Sequence, residues 1–97
     1  MTLHAIFPVL DDSADRRAAQ AVRHLGAQTI ATLSTARVLI EAGREVDLSG
    51  AQDGVGQLCA RVLDLPPALA IELLGLLEAV RIEVDRTTSA LDLRAPG

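Results

Sequence analysis

The sequence predicts an all-α domain of three helices, long, short and long, and three features of the chain carry that prediction. Apolar residues recur at i, i+3, i+4 and i+7 along two Pro-free stretches, the pattern of an amphipathic helix. The apolar load rests on sixteen Leu and sixteen Ala, both strong helix formers, with Phe7 the single aromatic residue. Adjacent Pro66 and Pro67 then punctuate the chain between two such stretches. With 97 residues, 49% of them hydrophobic, the chain suits one packed domain and is too apolar for a disordered one.

Residues 1–10 read as an extended or irregular arm, interrupted by Pro8, whose Ile6, Phe7, Val9 and Leu10 should dock on the body. The helical domain spans residues 11–91. Asp12 or Ser13 can cap a helix start, and Asp15 adds negative charge to its first turn. From Ser13 to Ala42 one face collects Ala18, Val22, Leu25, Thr29, Leu33, Ala36 and Ile40, with Gly26 and Ile30 at its edge. Arg16, Arg17, Gln20, Arg23, His24, Ser34, Thr35 and Glu41 fall opposite. Gly43 stands where a left-handed residue would end the helix.

A second helix is expected from Asp47 or Ser49 to Asp64 or Leu65, burying Leu48, Ala51, Val55, Leu58, Cys59 and Val62. Gly50, Gly54 and Gly56 each cost up to about 1 kcal/mol relative to Ala, so its first half should be the weakest helical stretch. The third helix is expected from Pro66 or Pro67 to Ala90, with Pro in the first turn. Its main stripe is Leu69, Leu73, Leu76, Leu77, Val80, Val84 and Leu91. Glu78 with Arg81, Arg81 with Asp85, and Glu83 with Arg86 are spaced to pair along it. Residues 92–97 form a tail expected to be disordered.

Helix length points to a partner. A compact domain of this size has a radius of gyration of about 12.5 Å, whereas thirty helical residues extend about 45 Å. The first helix therefore overhangs a compact monomer unless it bends near Gly26. On the third helix, Ile71, Leu74 and Ile82 lie behind an already complete stripe, with only residues 1–10 left to cover them. The expected architecture is an antiparallel helical bundle completed by homodimerisation. Its partner or dimer surface is drawn from Ile71, Leu74 and Ile82 together with Leu73, Leu77 and Val80.

Charge narrows the partners. Nine Arg, no Lys and thirteen acids give a net charge of −4, too little clustered cation to neutralise a run of phosphates. Nucleic acid is not an expected partner. The longest apolar runs fall far short of the about 18 residues of a membrane span, so no membrane is expected either. Cys59 is the only cysteine, and residues 1–10 lack the basic start of a signal peptide, which makes the cytoplasm the expected compartment. The absence of Lys, Asn, Trp and Tyr beside abundant Ala, Leu, Arg and Gly matches the codon bias of a GC-rich bacterial genome.

No residue set carries a catalytic signature. His24, on the polar face of the first helix, invites comparison with histidine phosphotransfer domains, small bundles with an exposed mid-helix His. Those domains follow the His with a Lys and a Gly at set spacings, whereas here Leu25 is followed by Gly26, Ala27 and Gln28. Helical chorismate mutases bind a dicarboxylate among Arg and Lys residues inside a helical dimer, which singles out Arg37 at the border of the apolar stripe, but Glu41 stands one turn away to pair with it. Cys59 reads as a small core residue. His4, His24 and Cys59 lack metal-ligand spacing, so no metal or other cofactor is expected. Asp11, Asp12 and Asp15 are accounted for by a helix N-terminus. The glycines of the second helix have no preceding strand and no Lys-Ser/Thr after them, so they form no phosphate loop. The third helix presents Leu and Ile where a DNA-reading helix needs polar and basic residues.

The expected function is therefore a small acidic interaction module, an adaptor, regulator or chaperone without catalytic activity, that holds another protein's amphipathic helix. In length, acidity and helical build it resembles flagellar and type III export chaperones, an architectural resemblance with no shared motif. The alternative is a small helical enzyme or phosphotransfer protein using His24 or Arg37.

Overall fold

The computed structural model describes residues 2–94, with side chains described for residues 13–93. Among the described residues the fold is four α-helices and no strand: α1 (Thr2–Glu41), α2 (Ser49–Leu63), α3 (Pro67–Glu72) and α4 (Leu74–Arg94).

The first helix begins earlier than the sequence suggests. α1 runs from Thr2, so residues 2–10 of the expected irregular arm are helical, and Asp12, Ser13 and Asp15 lie inside the helix rather than at its start. Pro8 falls in the second turn, where its missing N–H forfeits one hydrogen bond without stopping the helix. The polar run after it is compatible with a cap but equally with a continuing helix. Whether residues 1–10 cover the back of the third helix concerns side chains outside the described residues.

α1 buries Ala19, Val22, Gly26, Thr29, Leu33, Ala36 and Ile40, while Ala18 is exposed. That spacing alternates three and four residues, a heptad stripe rather than the 3.6-residue stripe read from the sequence, and it moves Gly26 from the edge to the centre. A Cβ at Gly26 would lie 2.6 Å from Leu76 Cδ2, so the missing side chain is what lets α4 approach. At the other end Gly43 has φ +83°. Its N–H donates to the Ile40 carbonyl at 3.0 Å and the Arg44 N–H to that of Leu39 at 2.9 Å, the paired bonds of a Schellman stop.

α2 is started by Asp47, whose Oδ1 accepts the Ser49 backbone N–H at 2.9 Å. This bond, before any smaller effect, holds the Asp47 carboxyl below its ordinary range. Ala51, Leu58 and Val62 are buried and Val55 half-buried. Cys59, expected in the core, is exposed. α2 leans on α1 alone along most of its length, so its buried stripe is narrow, and the residue after Leu58 already lies a third of a turn away.

The single third helix expected from Pro66 is two helices. Leu73, between α3 and α4, has φ −96° and ψ 3°. Its N–H donates to the Ala70 carbonyl, three residues back, at 3.0 Å, and its own carbonyl starts α4 by accepting from Leu77 at 3.0 Å. Leu73 is 1% exposed. The junction thus drives one leucine into the core, and Gly75 just beyond it lowers the resistance to a break.

α1 is the spine. Gly26 faces Leu76, Arg37 reaches Glu83, and Ile40 shares a hollow with Ala90, so α1 and α4 run in the same direction. Thr29 lies against Gly54 while Leu39 lies beside Leu48, so α2 runs against them. The main core joins Ala19, Val22, Leu58, Val62, Leu65, Leu73 and Val80, all at the end where α2 finishes and α3 begins. The radius of gyration is 17.6 Å and the extents are 68 × 17 × 15 Å, a rod whose first helix extends beyond a compact body. The forty residues of α1, about 60 Å of helix, account for that form.

Candidate functional site

The end of the bundle away from the main core holds a groove. There α2 and α4 flank α1, and Leu33, Ala51, Val55, Val84 and Leu91 line an apolar cavity of about 270 Å³. Gln52, Thr87 and Thr88 supply its polar atoms. The Thr87 hydroxyl is already engaged, donating to the Glu83 carbonyl at 2.8 Å, and Thr88 donates to Val84 at 2.9 Å. With the hydroxyls turned onto their own helix, the groove offers mainly apolar surface. It opens beside the glycine-bearing first half of α2, the stretch the composition marks as weakest.

The residues expected to form one partner surface divide between two faces. Leu73 and Val80 are buried at 1% and 4% exposure, and Leu77 packs half-buried against the same core, so these three are used within the chain. Ile71, Leu74 and Ile82 are 66%, 57% and 38% exposed on the far side. Within α4 the division follows from the helix itself, since Val80 and Ile82 lie about 160° apart around its axis.

Arg37 is committed to carboxylates. Its guanidinium lies 3.2 Å from Glu41, as the i, i+4 spacing predicts, and its Nε lies 3.5 Å from Glu83 Oε2 across the helix pair. Glu83 is 8% exposed and also meets Arg86 at 3.2 Å. Both Arg37 Nε and Glu83 Oε2 are buried without hydrogen-bond geometry, so their ion pair is close but imperfectly aligned. A charged residue at a buried position of a helix seam costs stability and fixes register, and the pair locks α4 against α1 at one level. The sequence shows the Arg37 and Glu41 spacing but cannot show Glu83, which is forty-six residues further on.

The other pairs expected on α4 form as spaced. Arg81 bonds Glu78 at 2.6 Å and Asp85 at 2.7 Å, all solvent-exposed. These bonds, with the attached charge, hold the Glu78 carboxyl below its ordinary range. His24 is exposed on α1, thirteen residues and about 20 Å of helix from Arg37, so the two do not share a site. Among the described residues no cluster of His, Cys, Asp and Glu could hold a metal, and no helix is long and apolar enough to cross a membrane. No protein-family model, no curated protein and no solved structure matches this chain.

Proposed function

We propose that this protein is a non-catalytic interaction module of the bacterial cytoplasm, an adaptor or chaperone that works as a homodimer and holds an amphipathic helix of another protein. The observation that carries this reading is the apolar groove between α2 and α4, lined by Leu33, Val55, Val84 and Leu91. A helix presenting aliphatic residues at i and i+4 suits such a groove, and basic flanks suit a chain of net charge −4. The glycines of α2 support the reading, since a weak groove wall can yield to admit a side chain.

A fluorescent amphipathic Leu/Lys peptide tests it by anisotropy. Saturable binding that is lost in Leu91→Asp and kept in Ile71→Asp supports the groove. Binding that is absent, or equal in wild type and Leu91→Asp, overturns it.

A further inference from the structure

The back of α4 has a feature beyond its exposure. At 100° per residue, Gly75, Glu78, Ile82, Arg86, Ser89 and Leu93 fall within about 40° of one line along α4, and Ile71 precedes it at the end of α3, across the break at Leu73. All seven are exposed. The line is also symmetric in sequence about Ile82. Four residues to either side stand Glu78 and Arg86, seven to either side Gly75 and Ser89, and eleven to either side Ile71 and Leu93.

From this we infer that two copies of the chain pair antiparallel through the backs of their α4 helices, on a two-fold axis at Ile82. This rests on the homodimer of the proposed function and gives it a partner face and a register. In that register the α3 end of each copy comes to the α4 end of the other, which brings Ile71 near Leu93 of the second copy, and the two residues are 66% and 89% exposed in one chain. Glu78 faces Arg86, which adds two intermolecular pairs to those that Glu78 makes with Arg81 and Arg86 with Glu83 within each chain. Gly75 faces Ser89, and a Cβ at Gly75 meets nothing within 4 Å, so the helices can approach closely at those levels.

Local charge complementarity along this line fits a second copy. The chain carries −4, so two copies repel one another except across a surface that is locally balanced. This line holds one acid and one base, placed so that the symmetry brings unlike charges together. A parallel arrangement in register would instead bring Glu78 to Glu78 and Arg86 to Arg86. Beside the line, a hollow of about 620 Å³ between Ile82, Arg86 and Leu93 of α4 and Arg37 and Glu41 of α1 leaves room for the second helix to settle against α1 as well.

Sedimentation equilibrium at micromolar concentration tests the pairing on the full chain, with circular dichroism to verify that each variant folds. Wild type should give twice 10.2 kDa, and Ile82→Asp should give 10.2 kDa. Glu78→Arg or Arg86→Glu alone should weaken association at least about tenfold, and the two together should restore it. In a Cys59→Ser background, a mixture of Ile71→Cys and Leu93→Cys chains should oxidise to heterodimers. A wild-type monomer throughout overturns both the homodimer and its register. A dimer that survives Ile82→Asp, or that oxidises as Ile71→Cys homodimers in preference to the mixed pair, overturns the register and leaves the homodimer standing.

Discussion

Leu73 and Ile71 are two positions apart and of nearly equal hydrophobicity, yet one is 1% exposed and the other 66%. The same contrast runs the length of α4. Val80 and Ala90 are buried, whereas Ile82 and Leu93, two and three positions further on, are exposed. One face meets the heptad stripe of α1; no helix of the described chain lies over the other. The comparison teaches that apolar patterning marks both faces of this helix equally, while cover distinguishes them. A face that is covered contributes to folding, and a face that is not contributes only when a second surface arrives.

The contrast is sharpest where a large side chain is removed. Leu73→Ala should destabilise the chain by about 2–5 kcal/mol, and Ile71→Ala should stay within about 0.5 kcal/mol. Urea titrations at a dilution where the protein is monomeric compare the two directly. Equal losses would mean that the far face is covered after all.

Adding atoms reverses the test. Gly26 sits on the covered side under Leu76, so Gly26→Leu should cost about 1–3 kcal/mol through overpacking. Gly75 sits on the open side of α4 with free space around it, so Gly75→Ala should stabilise by about 0.5–1 kcal/mol. Thermal unfolding of the two variants, at a dilution where the protein is monomeric, should move in opposite directions.

A charge on the covered face should matter more than one on the open face. Glu83→Ala removes the partner of Arg37 and Arg86 and should cost about 1–3 kcal/mol, read from urea midpoints at neutral pH. Asp85→Ala, two positions on and exposed, should cost less. Equal costs would show that the Arg37 and Glu83 pair gains nothing from its burial.

The smallest effect is a pH dependence on the open face. Arg81 depresses the Glu78 carboxyl in the folded state, so its contribution is present above the ordinary glutamate range and is lost as the pH falls through the depressed value. Glu78→Gln should therefore lower stability slightly near neutral pH and flatten the acid limb, so that variant and wild type converge at low pH. An unaltered acid limb would mean that the Arg81 bonds do not persist in solution.

Much of this fold is legible in local signals, because those signals are themselves local. Gly43 ends α1 at a positive φ that other residues resist, Pro66 and Pro67 separate α2 from α3, and Asp47 starts α2 through a bond to a residue two positions away. The pairs along α4 form because one helical turn brings their members together. Misreadings arise where distant packing chooses among locally acceptable options. Residues 1–10 could be arm or helix, Ala18 or Ala19 could face the core, and Cys59 could border the seam or leave it. The break at Leu73 has the same origin, since only the position of α1 makes burying that leucine worth interrupting a helix.

The candidate site divides in the same way. That Ile71, Leu74 and Ile82 share a side is visible in their spacing. The groove between α2 and α4 is not, because its walls come from three helices and its depth depends on how far α2 stands from α4. Nor is the Arg37 and Glu83 pair, which exists only once α1 and α4 lie side by side.

By itself, then, the sequence determined the helical class, the stop at Gly43, the boundary at Pro66 and Pro67, and the presence of two apolar faces on the last helix. Helical periodicity, caps and proline act within a few residues of one another and can be read along the chain. The tertiary structure alone decided which face is covered, where the groove opens, and that the molecule is a rod built on α1. Burial is a property of pairs of elements far apart in sequence, and a hydrophobic stripe records a need for cover without recording what supplies it.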